Sequence, residues 1–103
     1  MTARARLPNR RASVVFDLEV GGLTYTASFT RFADGRIGEL FLANHKSNSA
    51  ADTNARDAAI AFSFAVQHGA DPEAIRRALS RNSQGRATSP LGTALDIIAE
   101  RTT

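Results

Sequence analysis

Two glycine-bearing turns, Gly21-Gly22 and Asp34-Gly35, divide residues 7–42 into three stretches and constrain the fold more than any other feature of the chain. Val14, Phe16, Leu18 and Val20 alternate with Val15, Asp17 and Glu19, the period-two pattern of a half-buried strand. Gly21-Gly22 suits a two-residue primed turn, in which both central positions take positive φ. That turn sets Val20 opposite Leu23, Leu18 opposite Tyr25, Phe16 opposite Ala27 and Val14 opposite Phe29, giving one continuous apolar face. The other face pairs Glu19 with Thr24, Asp17 with Thr26 and Val15 with Ser28. A slip of one residue would scramble both faces, so the pattern itself specifies the register.

The second turn admits two readings. With Asp34-Gly35 as a two-residue loop, Phe29 meets Leu40 and Ala27 meets Leu42 on the core face, while Phe32, Ile37 and Phe41 gather on the opposite face. A bulge after Asp34 would invert those assignments. In either case part of the third strand is apolar on both sides. Phe32, Ile37 and Phe41 are therefore candidates for an interface with a second layer, a protein partner or a second copy of the chain.

From about Ser49 the period becomes helical: Ala51, Ala55, Ala58, Ala59, Phe62, Ala65 and Val66 form one stripe, and Ile60 and Phe64 a second patch. A helix so apolar is expected to be sandwiched between the sheet and later helices, with Gly69 as its stop. Asp71-Pro72-Glu73 restarts a helix with an N-cap, a first-turn proline and an acid at the positive end. Ile75, Ala78 and Leu79 are expected to face inward, and Arg76, Arg77 and Arg81 outward. After a polar loop at Asn82–Thr88, Ser89-Pro90 opens a last helix with Leu91, Ala94, Leu95 and Ile98 on one stripe and Asp96 facing away. The predicted fold is α+β: a three-stranded antiparallel meander packed against three helices, in the order β-β-β-α-α-α. Residues 1–11 are expected to form a flexible basic arm and residues 12–103 one domain.

Composition narrows the chemistry. The 103 residues include no cysteine, so the chain offers no disulfide, thiolate metal site or redox nucleophile. His45 and His68 carry no metal-ligand spacing, and no metal or cofactor is expected. No apolar run approaches the roughly 18–20 residues of a membrane span, and no signal-like apolar segment follows the N-terminal arginines, so a cytoplasmic setting is expected. The basic excess is local. Residues 1–50 hold a net charge of +3 and residues 51–103 are neutral; the first eleven residues contain four arginines and no acid. Arg10 and Arg11 in that arm could meet nucleotide or nucleic-acid phosphates; a solvated arm is the simpler reading. The polar sheet face, with Asp17 and Glu19, lacks the basic or aromatic platform of a single-strand reader.

The other candidate is Asn44-His45-Lys46-Ser47-Asn48-Ser49, which joins the third strand to the first helix. A helix N-terminus presents unpaired N–H groups and partial positive charge. His45, Lys46, Ser47, Asn48 and Ser49 could complete an anion site there; a cap by Asn48 or Ser49 within a solvated loop is the simpler alternative. Glu39, Asp34, Asp57 and Asp96 suggest surface charges, and no nucleophile–base pair can be argued from spacing.

Leu7-Pro8-Asn9-Arg10-Arg11, the Gly21-Gly22 turn, Ala33-Asp34-Gly35-Arg36, Gly38-Glu39-Leu40-Phe41, Lys46–Ser49, residues 61–69 and residues 89–99 together resemble the C-terminal region of adenosylcobalamin-dependent (class II) ribonucleotide reductases, the TSCPD-type domain also found as small stand-alone proteins. The resemblance covers roughly residues 7–99. It implies shared fold and ancestry. Reduction in that family needs a radical cysteine, a reducing cysteine pair, a cobalamin site and a large barrel, so the resemblance implies a non-catalytic module here. The expected role is a binding or accessory module that engages an anionic ligand, nucleotide or nucleic acid, or a protein partner. The alternatives are a self-assembly module and an accessory subunit of a separate reductase.

Overall fold

A computed structural model describes residues 13–101. The elements are β1 (Val14–Val20), β2 (Leu23–Arg31), β3 (Ile37–Asn44), α1 (Ala50–Gln67), α2 (Pro72–Ala78) and α3 (Pro90–Glu100). The strands form one antiparallel sheet in the order β1-β2-β3, which is the α+β meander that the sequence pattern predicts.

The first hairpin has the predicted register from Val14↔Phe29 to Val20↔Leu23. Gly21 and Gly22 take φ of 61° and 78°, the left-handed region that a side chain disfavours. Leu18, Tyr25, Ala27, Phe29, Leu40 and Leu42 line the inner sheet face, against Ala55, Ala59, Phe62 and Val66 of α1 and Leu91, Ala94, Leu95 and Ile98 of α3. Burying a large side chain of this kind contributes about 1.5–3 kcal/mol, so this layer is the main source of stability.

The second hairpin combines the two readings that the sequence admits. Phe29↔Leu40 and Ala27↔Leu42 pair as expected, but the register shifts between Thr30↔Glu39 and Arg31↔Ile37, leaving Gly38 as an extra residue in β3. The extra residue changes the parity of the strand. Ile37 therefore joins Leu40 and Leu42 on the core side at 8% exposure, and Phe32 is also buried, with the Arg36 guanidinium 5.1 Å from its ring centre. Neither lies on the outer face. The turn itself runs from Phe32 to Arg36, held by Phe32 N–H donating to Arg36 O (2.8 Å) and Gly35 N–H to Phe32 O (2.9 Å).

All three helices begin where the sequence places a cap: Ser49, Asp71 and Ser89 each accept a hydrogen bond from a first-turn amide. The sandwich expected for α1 is not formed, because Ile60 and Phe64 stay exposed. Instead α1 runs along the outer edge of β3. Gln67 Nε2 donates to Gly38 O (2.7 Å), Ser63 Oγ bonds both main-chain groups of Leu40, and Asp52 Oδ1 accepts from Asn44 N–H (2.9 Å). These three side chains satisfy edge groups that a fourth strand would otherwise take.

Candidate functional site

The loop between β3 and α1 is organised around Asp52, one of the most buried polar residues. Its carboxylate accepts from Asn44 N–H (2.9 Å) and Asn48 N–H (3.1 Å), and Arg56 Nε spans both oxygens at 3.0 Å. Ser49 caps α1 by accepting from Asp52 N–H (3.1 Å) and donates its hydroxyl to Lys46 O (2.8 Å). Burial pushes the Asp52 carboxyl up, but the bonds from Arg56, Asn44 and Asn48 outweigh it and hold the group below the ordinary aspartate value. The start of α1 thus already carries a carboxylate of the chain's own, set against the helix dipole.

The predicted loop residues divide accordingly. Lys46 N–H is held by Asn44 Oδ1 (2.8 Å) while its side chain is exposed; Ser47 and Asn48 are exposed, with Asn48 at φ 61°. His45 turns toward the outer sheet face instead, its Nε2 3.0 Å from Thr26 Oγ1, which donates to Asp17 Oδ1 (2.8 Å). Of the predicted partner-facing trio, Phe41 alone is open, at 52% exposure. Arg10 and Arg11 lie outside the described residues.

A second basic region is invisible in the sequence. Arg31 from β2, Arg36 from the turn, Arg76 from α2 and Arg101 at the end of α3 line a cleft of about 240 Å³ whose apolar side includes Ile37, Leu95 and Ile98. Asp71 and Glu73 sit on the same rim. Two of the four cations are committed to acids. Arg36 Nε donates to Asp34 (2.8 Å), and Arg76 pairs with Glu73 and, at 3.0 Å, with Asp96. Arg31 donates to Gly35 O (2.8 Å) and lies over Phe29, and Arg101 lies over Phe16; neither is ion-paired among the described residues. Among the described residues no carboxylate stands within contact distance of either, although Asp71 and Glu73 share the cleft.

Beside the cleft, Asp96 accepts from Arg76 Nη1 (3.0 Å) and from both terminal nitrogens of Arg81 (2.8 Å each). Arg81 and, against the opposing effect of burial, Arg76 hold the Asp96 carboxyl below its ordinary value; Glu73 and Asp96 in turn raise Arg76. The expected surface roles of Arg76, Arg81 and Asp96 are therefore corrected to a part-buried ion cluster, and Ala78, expected to face inward, is exposed. Arg31 and Arg101 stand 70 positions apart with no shared local pattern, so no sequence signal could unite them. Asp52 did have one: Ser49 three residues ahead gives capping-box spacing. Among the described residues no three His, Cys, Asp or Glu side chains cluster to hold a metal ion, and no helix is long and apolar enough to cross a membrane.

The geometry defines a small α+β module with an arginine-lined cleft and no evident catalytic grouping among the described residues. Comparison with known proteins adds its lineage. The chain is 39% identical over 66 residues to the vitamin B12-dependent ribonucleotide reductase of Agrobacterium fabrum, covering 64% of this chain and 5% of that protein. It is 33% identical over 69 residues to the vitamin B12-dependent ribonucleotide reductase of Bradyrhizobium diazoefficiens, covering 67% of this chain and 6% of that protein. The chain thus contains a region related to these reductases and spans about a twentieth of their length. No protein-family model matches it. No solved structure matches it.

Proposed function

We propose that this chain is a non-catalytic accessory module, of the TSCPD type and cytoplasmic, that binds a small phosphate-bearing ligand such as a nucleotide. The observation that carries the reading is the cleft where Arg31 and Arg101, free of acid partners among the described residues, face an apolar wall of Ile37, Leu95 and Ile98. Guanidinium groups suit phosphate through planar, charge-assisted donors, and the apolar wall suits the body of an organic anion. A cleft of this size admits one nucleotide's phosphate end, not a duplex. Without cysteine the chain has no thiol to contribute to reductase chemistry. Similarity to the reductases also supports service to a separate reductase, with the module as a ligand-sensing companion.

In this reading the Lys46 side chain, with Ser47, Asn48 and Ser49 beside it in the loop, and Arg10 and Arg11 form a secondary, salt-sensitive contact for longer polyanions. Calorimetric titration with pyrophosphate and adenine nucleotides, alongside short single-stranded and duplex RNA and DNA at two salt concentrations, tests the assignment. Nucleotide binding lost in the Arg31→Ala, Arg101→Ala double variant but kept in the Arg10→Ala, Arg11→Ala, Lys46→Ala triple variant is the expected outcome. Binding indifferent to Arg31 and Arg101, or none at all, overturns it.

A further inference from the structure

The rim of the arginine cleft carries two carboxylates, and they differ in what they are free to bind. Glu73 is held by Arg76, whose Nε lies 3.0 Å from each of its oxygens. Asp71 caps α2, its Oδ1 accepting from Glu73 N–H (3.0 Å), and its side chain has no other hydrogen bond and no ion pair among the described residues. It is exposed, next to the half-buried Pro72, whose ring lines the same cleft. Arg76 also reaches Asp96 of α3 at 3.0 Å, so this end of α2 is tied to the opposite wall. The cleft therefore joins two cations without acid partners, Arg31 and Arg101, to one acid without a cation.

We propose, resting on the nucleotide reading of this cleft, that Asp71 is a specificity-determining residue that selects guanine. A carboxylate accepts hydrogen bonds and donates none. At the rim it opposes a phosphate and favours N–H donors, which fixes the direction of the ligand: phosphates toward Arg31 and Arg101, base toward α2. Guanine sets two N–H donors side by side on its pairing edge, the ring N1–H and the exocyclic amino group, with no acceptor between them. These two donors match the two oxygens of one carboxylate. Adenine, cytosine and uracil each turn an acceptor against it beside their donor. Pro72 offers an apolar surface to the face of the ring, while the phosphate end occupies the cleft. No phosphate is placed at the start of α2, because the Asp71 carboxylate itself occupies an amide there.

Calorimetric titration of the full chain with GDP, IDP, ADP and pyrophosphate tests the assignment. IDP keeps the ring N1–H and lacks only the amino group. GDP is expected to bind at least about tenfold more tightly than ADP, with IDP between them. Asp71→Asn keeps the helix cap, since asparagine caps as well as aspartate, but sets one acceptor and one donor where two acceptors stood. The variant should lose the preference for GDP and favour xanthosine diphosphate, which carries a carbonyl where guanine carries its amino group. A merely structural role for Asp71 would not reverse base preference. Equal binding of GDP, IDP and ADP that still requires Arg31 and Arg101 overturns the role of Asp71 and leaves the phosphate site standing. A GDP preference unmoved by Asp71→Asn overturns it as well. Absence of binding by every nucleotide and by pyrophosphate overturns both this inference and the reading beneath it.

Discussion

Ser63 Oγ accepts a hydrogen bond from Leu40 N–H at 2.9 Å and donates one to Leu40 C=O at 3.0 Å, across 23 positions of sequence. One hydroxyl thereby replaces the neighbouring strand that β3 lacks on this side. With Gln67 on Gly38 and Asp52 on Asn44, it turns α1 into an edge cover held by specific polar contacts as well as by apolar packing.

Ser63→Ala is expected to destabilise the fold by about 1–3 kcal/mol, because both main-chain groups of Leu40 lose their partner in a buried place. Urea denaturation of the variant against the parent measures this. A change below about 0.5 kcal/mol would show that water or a shifted α1 replaces the hydroxyl.

Asp96→Ala should release α2 while leaving the sheet and α1 intact. None of the seven residues of α2 is buried, and apart from Ile75 against the core its attachment runs through Arg76 to Asp96, with Arg81 on the same carboxylate. Local opening of such a weakly packed segment shows in hydrogen exchange before it shows in global melting. Faster amide exchange confined to residues 72–81, with β2 protection unchanged, is the expected pattern. Uniform loss of protection would instead make Asp96 a determinant of the whole fold.

Acid should destabilise the protein through four carboxylates. Asp34 is lowered by bonds from Arg36, Glu73 by Arg76, Asp96 by Arg81 and Arg76, and Asp52 by Arg56 and two amides in spite of its burial. Each is therefore ionised more readily folded than unfolded. Its stabilising contribution is fully present above the ordinary carboxylate range and is lost as pH falls through the lower folded-state value. Urea midpoints should be level above a pH of about 5 and decline below about 4, with a shallower acid limb in Asp52→Asn and Asp96→Asn. A midpoint that rises on acidification would refute this assignment.

At Gly21 and Gly22 an added Cβ meets nothing within 4 Å, so only backbone conformation is at stake. Gly22→Val should cost about 1–2 kcal/mol, whereas Gly22→Asn should cost clearly less, because asparagine tolerates the left-handed region. Equal losses in the two variants, read from denaturation midpoints, would point to a different turn in solution.

Much of the architecture could be read directly from residue order. The alternation around Gly21-Gly22 gives the register of the first hairpin, and Ser49, Asp71-Pro72 and Ser89-Pro90 give the helix starts, because turn and cap chemistry act over only a few residues. The face taken by Phe32 and Ile37 stayed open between two readings, because the extra residue at Gly38 reverses strand parity without leaving a distinctive local motif. The candidate loop was legible as a helix start rich in donors. That Asp52 occupies its amides was not, since that depends on how the chain returns on itself.

The sequence by itself determined the three-stranded meander, the helix order, the absence of thiol chemistry and the relationship to the reductases' region, all of which rest on local periodicity, turn chemistry or residue identity. Only the tertiary structure decided which surfaces matter. It brought Arg31 of β2 to Arg101 beyond α3 in one cleft, and laid Arg56 and Ile60 beside the strand carrying Phe41. The reason is physical: residues far apart in the chain become neighbours only when the core closes, and the closing core, not the local pattern, chooses them.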